Sequence, residues 1–166
     1  DKFNTSKITD FYGMFSGCRY LKALDLSMFD TSNGTRFGYM FESCNALETL
    51  DVSNFDISKA DSIKAMFKEC YKLKELDLSS FNTSNVTDFS ELFDYCYALT
   101  SVNVSSFNTA NADTLSSMFS HCESLTSLDL SSFNTSSVRY MSYMFYGCKS
   151  LSTLDLSNFD TSSLIS

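Results

Sequence analysis

Apolar positions in this chain fall into two alternating patterns that recur along its whole length. Between residues 99 and 107, Leu99, Val102 and Val104 fit L-x-x-L-x-L, whose last three positions alternate inward and outward as in a short strand, and Phe107 closes the run. After an Asn108-Thr109 corner, Ala112, Leu115, Met118, Phe119 and Cys122 stand at offsets of three, six, seven and ten, one face of a helix of roughly three turns. The pattern therefore predicts one strand, one corner and one helix per unit. Ser6 with Thr9 and Asp10, Ser58 with Asp61, and Ser84 with Thr87 and Asp88 put a hydroxyl at the expected helix start and often an acid in the first turn. Gly13, Gly34 and Gly38 loosen the first two units, where a shorter or partly 3-10 helix is expected.

The unit has a fixed length. Cys18, Cys44, Cys70, Cys96, Cys122 and Cys148 follow one another at intervals of 26, and no cysteine falls outside the series. Phe3, Phe29, Phe55, Phe81, Phe107, Phe133 and Phe159 keep the same interval, as do Phe15, Phe41, Phe67, Phe93, Phe119 and Phe145. A single unit cannot bury its apolar side alone, but stacking turns every column into a continuous internal ladder. The expectation is an α/β solenoid, right-handed, with short parallel strands on one face and short helices on the other. It occupies 1–166 as a single domain of about six units, read as a segment of a longer array.

The recurrent M-F-x-x-C-x-x-L-x-x-L-D-L-S-x-F-[DN]-T-S-x-V, seen almost whole from Met144 to Ser162, resembles the 26-residue leucine-rich repeat of BspA-like bacterial surface proteins, also found in mycoplasma lipoproteins. The resemblance covers essentially the whole chain. It implies an exported, extracellular protein at the cell surface, since family members look surface-attached and some are implicated in adhesion to host matrix proteins or to other cells. Phe81 stands where the general leucine-rich pattern wants Asn or Cys after Leu78, so the Asn ladder of other classes is missing. The neighbouring column Asn4, Asp30, Asp56, Asn82, Asn108, Asn134 and Asp160 is suited to bond corner backbone in its place.

Composition narrows the function. With 166 residues, 43% hydrophobic, the chain is long enough for a sizeable core. A net charge of -8, from 12 Lys+Arg against 20 Asp+Glu, argues against nucleic acid as a partner. No run approaches the roughly 18 apolar residues of a membrane span, and the first residues lack the basic and apolar regions of a signal peptide. The six cysteines are explained by the period and are expected to be free, buried and hydrophobic in character, with a bridge or a metal role the lesser alternatives. A lone His121 and the absence of C-x-x-C oppose a zinc site, and no metal or other cofactor is implied. One His, no nucleophile elbow and no phosphate-cradling loop leave catalysis without support, since carboxylates that recur once per unit build a surface rather than a unique centre.

Three surface columns remain as candidates. Asp25, Asp51, Asp77, Asn103, Asp129 and Asp155 point outward from the expected strands, where like charges should raise one another's pKa unless the adjacent Ser column or backbone donates hydrogen bonds. That row suits a structural role first, then partner binding, then calcium, whose converging oxygens a straight ladder spreads apart. The Thr column (Thr5, Thr31, Thr83, Thr109, Thr135, Thr161, broken by Ile57) suits corner hydrogen bonding and capping rather than an ice-binding surface. Tyrosines escape the periodicity: Tyr140, Tyr143 and Tyr146 lie three apart, and Tyr71 and Tyr97 share a column with Tyr95 nearby, which suits partner contact and the covering of helix edges equally. Asn-x-Ser/Thr sequons such as Asn33-Gly34-Thr35 mostly follow from the repeat itself.

The expected function is a non-enzymatic binding or adhesion module. Its strand face (Lys22, Asp25, Glu48, Asp51, Lys74, Glu75, Asp77, Asn103, Asp129, Asp155) would meet a protein or glycan on a host or neighbouring cell. Charge declines along that face toward Thr100, Ser101, Thr126 and Ser127, so a partner is expected to be basic where it meets the early units. The competing expectation is a structural segment of a surface stalk, in which uncapped apolar ends self-associate end to end.

Overall fold

A computed structural model describes residues 4–166, so Phe3, the first member of its column, lies outside the described residues. The chain winds into stacked coils of 26 residues, turned by two short side-chain-to-backbone corners that recur in every coil and by a third at Asp10, Ser62, Asp88 and Thr114. The first corner is an aspartate or asparagine accepting from the amide two residues on, as in Asp77 to Ser79 (2.9 Å) and Asn103 to Ser105 (3.1 Å). The second repeats the device five residues later, with Asn82 accepting from Ser84 (3.1 Å) and Asn108 from Ala110 (3.1 Å). The third uses Asp88 for the Ser90 amide (2.9 Å) or, one coil on, the Thr114 hydroxyl for Ser116 (3.2 Å).

The interior is built of ladders, as the periodicity requires. Phe15, Phe41, Phe67, Phe93, Phe119 and Phe145 stack nearly parallel with centroids 5.6, 5.7, 5.8, 5.3 and 6.0 Å apart. Beside them the thiols of Cys44, Cys70, Cys96, Cys122 and Cys148 each donate to a Phe carbonyl of the preceding coil, for example Cys96 to Phe67 (3.1 Å) and Cys122 to Phe93 (3.3 Å). All six cysteines are free; four are buried, Cys148 is half-buried and Cys18 is exposed. Burial holds the Cys70, Cys96 and Cys122 thiols far above the ordinary range, so they stay protonated and inert.

The expected helices do not form: among the described residues there is none. In the segment from Phe89 to Cys96, amides divide between two destinations. Phe89, Glu91, Phe93 and Tyr95 donate to Thr114, Ser116, Met118 and Ser120 of the next coil at 2.9–3.1 Å, while Leu92, Asp94 and Cys96 donate three residues back at 3.1–3.3 Å. The result is a ribbon of overlapping turns with positive φ at every fourth residue, Glu91 (61°) and Tyr95 (61°), repeated at Ser117 (56°) and His121 (55°). Spacing of the coils explains the correction. Packed helices need about 8–10 Å between axes, whereas Phe rings of successive coils stand 5.3–6.0 Å apart. A turn ribbon that bonds sideways fits that rise, and a column of helices does not.

Strands are also sparser than expected. Among the described residues there are two, β1 (Glu75–Asp77) and β2 (Ser101–Asn103), parallel and in register with Glu75 opposite Ser101, Leu76 opposite Val102 and Asp77 opposite Asn103. The equivalent segments of other coils keep single contacts, such as the Glu48 amide to the Lys22 carbonyl (3.0 Å), without a full ladder. Isolated parallel bridges run instead along the third corner, joining Ser62 to Asp88, Asp88 to Thr114 and Thr114 to Tyr140. The α/β description thus gives way to a solenoid of turns with a short two-stranded sheet.

Candidate functional site

The strand-face residues lie where the alternation places them, exposed and side by side. Glu48, Asp51, Lys74 and Glu75 line an open depression of about 480 Å³ floored by Leu24 and Leu50. Asp77 and Asn103 border a second, of about 310 Å³, and Asp129 and Asp155 a third, of about 160 Å³. Lys22 contributes its carbonyl to Glu48. Among the described residues no ion pair joins Lys22, Glu48, Lys74 or Glu75, and no group of three or more His, Cys, Asp or Glu side chains is arranged to hold a metal ion.

The aspartate column does not behave as a row of repelling charges. Asp25, Asp77, Asp129 and Asp155 have their carboxyls held below the ordinary carboxylate range by the amide two residues on and then by that serine's hydroxyl. For Asp51 the Ser53 hydroxyl is the larger influence and its amide the next. Full exposure to water screens neighbour from neighbour, and a donor amide at 2.9 Å outweighs what repulsion remains. These carboxylates are occupied in making corners.

The Thr column is likewise committed. Thr83 donates to the Asn108 carbonyl (3.0 Å) and accepts from the Asn108 amide (2.8 Å), and Thr5, Thr31, Thr109 and Thr135 repeat this staple with the next coil. Ile57 interrupts it. A further column closes carbonyls of the preceding coil, with Asn54 reaching Leu26 and Phe29 and Asn158 reaching Leu130 and Phe133 at 2.8–3.0 Å.

Side chains outside these columns gather on the turn ribbon. Tyr71 and Tyr97 lie 5.2 Å apart, Tyr97 meets Tyr95 at 5.8 Å, Tyr95 stacks on His121 at 4.5 Å, His121 meets Tyr146 edge-on at 5.1 Å, and Tyr146 meets Tyr143 at 5.7 Å. Six rings drawn from four coils thus form one continuous strip. Four of its members are exposed, Tyr71 and Tyr97 by 37%, Tyr146 by 58% and Tyr143 by 69%, while Tyr95 and His121 between them are half-buried. Tyr140 stands apart, under the Arg139 guanidinium at 5.5 Å.

Beside the strip, Lys68 pairs with Glu91 and with Asp94 (3.4 Å), and Lys64 reaches Glu91 at 3.5 Å. Burial alone would lower the Lys68 pKa, but the two carboxylates push it up to about 12. Asp94 is raised by its own burial, which outweighs the Ser120 hydroxyl and Lys68, and its Oδ1 has no hydrogen-bond partner. Sequence reasoning missed this cluster, together with the placement of Tyr12, Arg36 and Tyr39. The available signal was departure from a column, since Tyr12, Gly38 and Lys64 stand where the later coils carry Ser90, Ser116 and Ser142.

The fold and surface define a repeat solenoid that spends its periodic polar side chains on holding coils together and leaves its aperiodic ones outside. The chain belongs to the family described as "Mycoplasma protein of unknown function, DUF285", whose pattern matches residues 1–80 and 72–166. Among solved structures it is similar to a leucine-rich repeat protein from Eubacterium ventriosum, at 21% identity and a TM-score of 0.45, over 89% of this chain and 44% of that one. The chain therefore spans less than half the length of that protein. None of the curated proteins matches it.

Proposed function

We propose that this solenoid is a non-enzymatic binding module, displayed outside a bacterial cell, that holds a protein or glycan on a host or neighbouring cell. The continuous strip of Tyr71, Tyr97, Tyr95, His121, Tyr146 and Tyr143 carries this reading. Tyrosine supplies a large, stiff contact area with a polar tip, which makes it a preferred anchor at interfaces. An aromatic strip crossing coil boundaries has no part in the corner and staple columns that hold the coils, so its exposure costs the fold nothing it needs. The BspA-like repeat pattern supports an exported location. Within this reading Lys22, Glu48, Lys74 and Glu75 form a secondary contact surface, because their side chains are not engaged in corners.

The test is a glycan and matrix-protein array with the purified segment, run with and without calcium. For any partner found, replacing Tyr97 and Tyr146 together by Ala is expected to weaken binding at least about tenfold, as two truncated anchors should, with the melting temperature little changed. Undiminished binding in that variant removes the strip from the function.

A further inference from the structure

A second surface departs from the repeat, in the first three coils, at a place the tyrosine strip does not reach. Gly38 lies between Tyr12 of the preceding coil and Lys64 of the next. It is buried, and the Tyr12 ring leans over it so closely that a Cβ there would stand 3.4 Å from two ring carbons and from the Lys64 carbonyl. Tyr39 brings a second ring to 5.2 Å from Tyr12, tilted by 51°. The two rings, the missing side chain and the edge of the next coil enclose a notch of about 300 Å³, rimmed by Arg36, Lys64, Asp61 and Ser62.

The charges around the notch are unevenly satisfied. Arg36 is held by Asp10 (2.9 Å) and lies 5.1 Å over the Tyr12 ring, so its guanidinium is fixed in place with donors to spare. Lys64 is balanced by Glu91 at 3.5 Å. Asp61 is anchored through its backbone, whose carbonyl accepts from the Thr87 amide (2.8 Å) and hydroxyl (3.2 Å), while its carboxylate has no hydrogen-bond or ion-pair partner among the described residues.

We propose that this notch binds one pyranose ring of a neutral sugar. The apolar C–H face of the ring lies against Tyr39, whose electron-rich face attracts weakly positive hydrogens, while Tyr12, itself covered by Arg36, walls the side of the notch. Two sugar hydroxyls donate to the Asp61 carboxylate, and a sugar oxygen accepts from Arg36. Other ligand classes fit the same residues poorly. An anionic ligand meets the uncompensated Asp61, a cationic one finds the Tyr12 ring already taken by the Arg36 guanidinium (5.1 Å), and a wholly apolar one strips water from Asp61 without replacing it. A neutral ring with one apolar face and hydroxyls at its edge satisfies all of them. The notch is at the small end of ligand pockets, which suits a single ring and an affinity near 1–10 mM, on the order expected for a ligand of about a dozen heavy atoms.

The experiment is an amide NMR titration of the whole chain with the methyl glycosides of glucose, galactose, mannose and N-acetylglucosamine, each to about 50 mM, several times the expected dissociation constant. At least one glycoside is expected to shift the Gly38, Tyr39, Asp61 and Ser62 amides together. Asp61→Asn, which keeps the side chain's shape, is expected to weaken that binding at least about tenfold, the loss of a charge-assisted hydrogen-bond pair. Gly38→Leu, which fills the notch, is expected to abolish it while amides of the last three coils keep their positions. The proposal is overturned if no glycoside moves those four amides, if the shifts gather instead around Tyr97 and Tyr146, or if Asp61→Asn binds as well as the parent. The Tyr97 and Tyr146 variant leaves this notch intact, so the outcome here is independent of the one for the strip.

Discussion

Thr83 shows how much of this fold rests on single hydroxyls. Its Oγ1 is buried between coils and satisfies both the amide and the carbonyl of Asn108, so one side chain closes two backbone groups of the next coil. Thr83→Val keeps the volume and removes both bonds. The expected cost is about 1–3 kcal/mol, the desolvation penalty of the groups left unpaired, read as a lower denaturation midpoint with an unchanged urea slope. A cost below experimental error would mean that the staple columns are incidental to the stack. The chain contains its own counterexample in Ile57, buried at the same column, where apolar packing stands in for the staple. Gly34 is explained at the same scale: a Cβ there would lie 2.3 Å from the Phe37 ring and 2.9 Å from the Thr31 carbonyl, so the ring fills the space that Val86 and Val138 occupy in later coils.

At the scale of the element, the turn ribbon makes a prediction opposite in sign to a helix. Ser117 has φ of 56°, a left-handed conformation that costs a non-glycine residue about 1–2 kcal/mol. Ser117→Gly removes that cost and is expected to stabilise the chain by up to about 1 kcal/mol after the greater entropy loss of glycine. In a helix interior glycine is instead less favourable than serine by several tenths of a kcal/mol. Equilibrium denaturation of this variant therefore distinguishes the two structures, and destabilisation would restore the helix. Apolar offsets of three, six, seven and ten were legible in the sequence, and they describe one buried side faithfully. They do not tell a helix from a ribbon of tight turns, because both return a side chain to the same face every three or four residues. The recurrence of Gly13, Gly17 and Gly147 at positive-φ positions was a faint sign of the ribbon, obscured by Tyr, Ala, Glu, Ser and His at the equivalent places.

For the molecule as a whole, pH response follows from how carboxyls are used. Asp25, Asp30, Asp51, Asp56, Asp77, Asp129, Asp155 and Asp160 all have folded pKa values below the ordinary one, each through the serine two residues on. A depressed carboxyl contributes stability that is complete above its unfolded pKa, near 4, and is lost as pH falls through the folded value. Asp94 has the opposite sign, being raised by burial, so its charged form is a liability at neutral pH that acid relieves. With many depressed groups against one raised, the melting temperature is expected to hold from about pH 7 to 5 and to fall below about pH 4. Asp94→Asn is expected to raise it at neutral pH and to bring no gain near pH 3, below the ordinary carboxyl range. A melting temperature that climbs on acidification contradicts this account.

The interval of 26, the identity of the inward Phe, Cys and Leu columns, and the outward placement of Asp25 through Asp155 were all readable without coordinates. Strict periodicity carries that information because only neighbours in a stack can bury such columns. Which amides turn sideways to the next coil is a matter of the distance between coils, and a one-dimensional pattern does not record that distance. For the same reason Tyr71, Tyr95, Tyr97, His121, Tyr143 and Tyr146 become one strip, and Tyr12, Gly38, Tyr39 and Asp61 become one notch, only once successive coils are stacked on one another.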